Sequence, residues 1–139
     1  MAKYINNRNN GNTYAKKAST AFAVGQFVTI DGTTGYIIPA TNLTPILGVS
    51  NEEVTSSSDN YATNDHINVS EADYVDELII KVTTGPATQA MVGRYLAVDA
   101  AGTGVVITGI STTVGVATPI LMTGFIDATT IIGKIAKVF

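Results

Sequence analysis

The sequence predicts an all-β fold, and three observations carry that prediction. Val, Ile and Thr supply 49 of the 139 residues, whereas Leu supplies 5. β-Branched side chains lose rotamer freedom on a helix and pack well on a pleated sheet. Thirteen glycines provide corners, and apolar residues recur in short runs, several of them alternating with polar ones. Eight or nine short strands joined by tight turns read as a barrel or a sandwich.

Residues 1–20 show neither a strand nor a helix period. Five Asn, one Gly and scattered charge bury too little surface to offset ordering entropy. They read as an N-terminal arm preceding a β domain over 21–139, with Tyr4, Ile5 and Tyr14 as the side chains able to anchor it. Val24, Gln26, Val28 and Ile30 then alternate with Gly25, Phe27 and Thr29. Asp31-Gly32-Thr33-Thr34-Gly35 turns the chain, and Tyr36-Ile37-Ile38 returns as a hairpin closed by Pro39. Pro45–Ser50 reads as a strand, residues 51–64 as a polar acidic loop, and Asp65–Ser70 as a short strand.

Leu78–Thr83 follows, with Leu78, Ile80 and Val82 sharing a face and Lys81 and Thr83 turned outward. Thr84–Gly93 predicts the one short helix, with Pro86 at its first position and Gly93 ending it. Tyr95–Asp99, Val105–Ile110, Thr113–Ala117, Ile120–Asp127 and Ile131–Phe139 read as further strands. Lys134 and Lys137 fall on opposite faces of the last one, which suits a charged edge strand.

Charge is distributed unevenly. Residues 1–30 hold Lys3, Arg8, Lys16 and Lys17 and no acid, whereas residues 31–80 hold nine acids and no Lys or Arg. A basic leader on an acidic β-rich body suggests a module that docks by an arm. Net charge is −3, and four scattered cations make no polyanion-binding stripe, so direct nucleic-acid binding is not expected. Charged residues make up 14% of the chain, below the quarter usual for a soluble domain, which hints at a surface partly covered by partners. The chain has no cysteine, so disulfides, thiolate catalysis and zinc–thiolate sites are excluded. No signal peptide is read at Met1–Arg8, and every apolar run falls well short of a membrane span.

The residues offer little chemistry. His66 is the single histidine; Asp65 and Ser56–Ser58 nearby lack any positioning motif, so it reads as a surface residue. The carboxylates from Glu52 to Glu77 lack the aromatic-lined cleft a glycosidase needs. Asp59–Asp65 lacks the glycine and terminal glutamate of a calcium loop. Gly102-Thr103-Gly104 precedes a strand, not a helix, and reads as a hairpin turn. Catalytic residues, cofactors and metal ligands are therefore not expected.

Several phrases, in order, resemble a known family. They are Val24-Gly25-Gln26-Phe27-Val28-Thr29 with its Asp31-Gly32 turn, Pro45-Ile46-Leu47-Gly48-Val49 with an acidic loop, Leu78–Thr83 running into Thr84-Gly85-Pro86-Ala87, and the segment ending Val92-Gly93-Arg94-Tyr95. This chain resembles the small capsid decoration, or cement, proteins of tailed bacteriophages over about residues 20–125. The resemblance implies a small β-barrel or β-tulip domain with one short helix and an extended N-terminal arm. It further implies a homotrimer on the outer capsid surface of a virion assembled in the host cytoplasm, bridging major capsid protein subunits, with neither nucleic acid nor membrane as a partner. In that setting Lys3, Arg8, Lys16 and Lys17 would meet acidic capsid patches while Tyr4, Ile5 and Tyr14 anchor the arm. The competing expectations are a carbohydrate- or host-surface-binding β-sandwich and a head-completion or tail ring protein.

Overall fold

The computed structural model describes residues 12–71 and 77–136, together with the backbone of residues 2–4. The described residues form an all-β structure of eleven strands. They are β1 Ala2–Tyr4, β2 Asn12–Ala15, β3 Phe27–Ile30, β4 Ile37–Pro39, β5 Gly48–Ser50 and β6 His66–Glu71, followed by β7 Leu78–Thr84, β8 Tyr95–Val98, β9 Val105–Ser111, β10 Ile120–Asp127 and β11 Thr130–Ile135.

The strands fall into two sheets. The larger has the order β1-β7-β11-β10-β8-β9, and β7 also pairs with β9 in parallel through Val82↔Val105. Pairing therefore runs from β7 through β11, β10, β8 and β9 back to β7, which closes a five-stranded barrel. β1 lies along the other half of the same β7 edge, with Lys3 opposite Ile79. The smaller sheet has the order β2-β6-β5-β3-β4. Its two outer strands are also drawn together, because Lys16 bridges to Ile37 and the Lys17 amide donates to the Ile37 carbonyl at 3.0 Å. Closure leaves few open edges for misassociation.

Each unit has its own core. Phe22, Val28, Ile37, Val54, Ile67 and Val69 fill the smaller one. Leu78, Ile80, Leu96, Val98, Ile120, Met122, Ile131 and Ile135 fill the larger, which is completed by Phe27 and Val49 from the other sheet and by Ala40 and Ile46 from the segment between β4 and β5. β3 sits between the two. Val28 faces one core and Phe27 the other, so Phe27, Val28 and Thr29 are all buried despite their alternation.

The turn between β8 and β9 keys the units together. The Gly102 carbonyl accepts the Phe27 amide at 2.8 Å, and the Gln26 side-chain amide donates to the Ala101 carbonyl at 2.7 Å. Asp99 sets the turn, accepting the Thr103 amide at 2.8 Å and its hydroxyl at 2.6 Å. Burial alone would push the Asp99 carboxyl up; these Thr103 donors, with help from Thr83 and the Ala101 amide, outweigh it and hold it below the usual carboxylate range.

Three expectations are corrected. The helix over Thr84–Gly93 is absent apart from a 3-10 turn at Gln89–Met91. The segment is bound at both ends to the β10–β11 hairpin instead, through the Ala87 amide on the Ala128 carbonyl (3.0 Å) and the Gly93 amide on the Met122 carbonyl (2.8 Å), and the Gly85–Pro86 peptide is cis. Thr113–Ala117 is a looped segment, not a strand; the Thr113 amide is taken by the Ser111 hydroxyl and its carbonyl by that of Thr118. The last strand is no edge, since β11 lies between β7 and β10; Lys137 lies outside the described residues. Asn12–Ala15, within the segment read as an arm, is a strand paired with β6.

Candidate interaction surface

The leader residues divide by what the fold does with them. Lys3 and Tyr4 lie in β1, while Ile5 and Arg8 lie outside the described residues. Tyr14 is partly buried on β2, and its hydroxyl donates to the Glu71 carboxylate, which also accepts the Asn12 side-chain amide at 2.9 Å. Lys16 is 0% exposed. Its ammonium donates to the backbone carbonyls of Tyr61 (3.2 Å) and Thr63 (2.5 Å). Its charge is satisfied within the chain: Lys16, one residue past β2, lies against the 61–65 segment, where its amide also donates to the Asp65 carbonyl at 3.1 Å. Lys17 is exposed, with its ammonium 4.0 Å from Asp31.

The Tyr14–Glu71 pair has a pH signature. The hydrogen bond to Glu71, then burial and the carboxylate's charge, push the Tyr14 phenol up to about 12. The same bond and that from Asn12 hold the Glu71 carboxyl below its usual range. A raised Tyr14 contributes stability that is complete below the unfolded value near 10 and disappears as pH climbs through about 12. A lowered Glu71 contributes stability present above its unfolded value and lost as pH falls through the folded one. Ultraviolet titration should therefore show one phenol in the wild type ionising near 12, and Glu71→Gln should return it toward 10. A Tyr14 that ionises normally in the wild type would refute this arrangement.

His66 is exposed at the start of β6. Among the described residues, no group of three or more His, Asp or Glu side chains is placed to hold a metal ion, and no helix is long and apolar enough to cross a membrane. Side chains just after β5 bond to β6. Asn51 donates to Ser70 Oγ at 2.8 Å and to the Asn68 side-chain oxygen, while the Glu52 carboxylate accepts the Asn68 main-chain amide.

Two surface features were not read from the sequence. The first is a pair of apolar spots at opposite ends of β10. Val114 and Val116 are exposed on the loop that leads into Ile120, and Phe125 and Ile126 are exposed where β10 ends. Strand rise places these ends ~20 Å apart. The second is an open groove of about 500 Å³ whose lining includes Ala21, Phe22, Ala23, Glu53, Val54 and Tyr61. Phe22 and Val54 are buried and exchange both main-chain hydrogen bonds, at 2.9 and 2.8 Å. Neither feature has a periodic signature; a pairing of residues 22 and 54 across an acidic loop becomes visible only once the sheet is built. No family model matches this chain, and a search of curated proteins returns no match to it.

Proposed function

We propose that this protein is a structural capsid decoration protein, which binds the outer surface of an assembled viral head and stabilises it by bridging major capsid subunits. The observation that carries this reading is the placement of Val114 and Val116 at one end of a closed barrel and Phe125 and Ile126 at the other. A rigid unit with an apolar contact at each end can touch two neighbours at once. Binding only the assembled shell stabilises that shell by mass action, and repeated copies add avidity. The low charge content suits such contacts. A homotrimer over threefold positions is the assembly this reading takes.

The test uses surface substitutions, because deletion through residue 17 would remove β2 and Lys16 and with them a core wall. Co-sedimentation with expanded empty heads should fall at least tenfold for Val114→Asp/Val116→Asp and for Phe125→Asp/Ile126→Asp, as expected for loss of roughly 1.4 kcal/mol or more of apolar contact. Both variants should keep the wild-type melting temperature. Undiminished occupancy by both would end the proposal.

A further inference from the structure

We infer that copies of this chain associate head to tail, the acidic 53–65 segment of one docking on the outer β7–β11–β10 face of the next. This holds independently of the capsid reading, because it concerns contacts between copies with no shell present. Its basis is the way unsatisfied charge divides between the two units. Residues 12–71 hold six acids and two lysines, whereas residues 77–136 hold three acids and three cations. In the smaller unit both lysines are occupied, Lys16 by carbonyls and Lys17 by Asp31. Its exposed Glu53, Asp59 and Asp65 side chains have no hydrogen-bond or ion-pair partner among the described residues. The larger unit reverses this. Its acids are occupied, Glu77 by the Thr123 hydroxyl, Asp99 by Thr103 and Asp127 by Thr129. There Lys81, Arg94 and Lys134 are the side chains without a partner among the described residues.

Two of those cations frame an apolar strip. Ile79 on β7 lies opposite Ile132 on β11, and Ile79 is 40% exposed on the outside of the barrel. Gly124 pairs with Ile132 and leaves room for its side chain, since a β-carbon there would lie 3.2 Å from Ile132 Cβ and Cδ1. Lys81 follows Ile79 by two residues, and Lys134 follows Ile132 by two. Because β7 and β11 are antiparallel, the lysines flank the isoleucine pair from opposite ends, roughly 14 Å apart.

Charge complementarity selects the occupant. An apolar strip between two free cations fits a surface that brings carboxylates on either side of small side chains. The 53–65 segment has that form, with Ala62 and Thr63 exposed between Asp59 and Asp65. It is also held in place, since the Lys16 ammonium binds the carbonyls of Tyr61 and Thr63. A pre-ordered surface loses little freedom on docking. The two patches differ, so the contact is heterologous, and its repetition closes a ring or extends a filament. A ring of three is the homotrimer proposed above.

Sedimentation velocity of the full chain over a concentration series tests this contact. Wild-type protein should associate reversibly in about 0.1 M salt and roughly tenfold more weakly in about 1 M, where the screening length drops to about 3 Å. Lys81→Glu/Lys134→Glu and Asp59→Lys/Asp65→Lys should each weaken self-association at least tenfold, because each sets like charges face to face. Both variants should melt with the wild type. Mixing them should restore association, since each reversed patch then meets its complement. The wild-type series needs no variant: protein that stays monomeric, or associates regardless of salt, would overturn the inference. Folded variants that associate normally, or a mixture of them that stays apart, would do the same. Shell binding is read separately through the Val114/Val116 and Phe125/Ile126 variants, so either proposal can fail alone.

Discussion

Replacing Gly102 by valine is expected to destabilise the protein by about 2–5 kcal/mol, the sum of a left-handed backbone penalty and overpacking. Gly102 has φ +74°, which side-chain-bearing residues rarely adopt. A β-carbon there would lie 2.6 Å from the Ala40 carbonyl oxygen and 2.8 Å from that of Phe27. Both obstacles are main chain, and Phe27 is held by the Gly102 carbonyl itself, so relief requires the two units to separate locally. Urea denaturation measures the effect. Gly35→Ala is the control: it shares a positive φ of +75° but has open space around it, so only the backbone term of about 1–2 kcal/mol should be lost. Equal losses at the two positions would show that the β8–β9 turn does not key the two units together.

Lys16→Ala is expected to cost about 2–4 kcal/mol, from the cavity left by a buried stem and the loss of two hydrogen bonds. Lys16→Met should cost less, about 1–2 kcal/mol, because the stem is retained and only the donors go. The contrast between the variants separates packing from charge. The geometry behind it is unusual for a lysine: full burial, with carbonyl oxygens in place of a carboxylate partner. Lysine is almost never fully buried without such compensation. Thermal unfolding of both variants checks the order, and a neutral Lys16→Ala would show that the side chain is not enclosed.

The strand content was legible because local pattern and tertiary environment agree along most of the chain. Ile120–Asp127 appears with the expected bounds, and Leu78, Ile80 and Val82 face inward while Lys81 and Thr83 face out. Where they disagree, the sequence misled. Thr84–Gly93 has helical punctuation, but only Ala87 and its neighbours Met91 and Val92 pack on the core, and the hairpin's carbonyls claim its end amides. Lys16 looked like an arm cation because nothing local distinguishes it from Lys17; the carbonyls that receive it are about 45 residues away. The groove depends on Phe22 meeting Val54, and so is a product of long-range pairing alone.

The order in which the two units draw on the chain also sets when each can exist. Everything the smaller sheet needs lies within residues 12–71. The larger barrel takes one strand from residues 2–4 and its other strands from residue 78 onward, and its gap between β7 and β10 is filled by β11. During synthesis the smaller unit is therefore complete while its neighbour is still an open sheet with β7 and β10 unpaired toward each other. Loss of residues 130–136, by early termination or proteolysis, would leave an intact half attached to one that never closes.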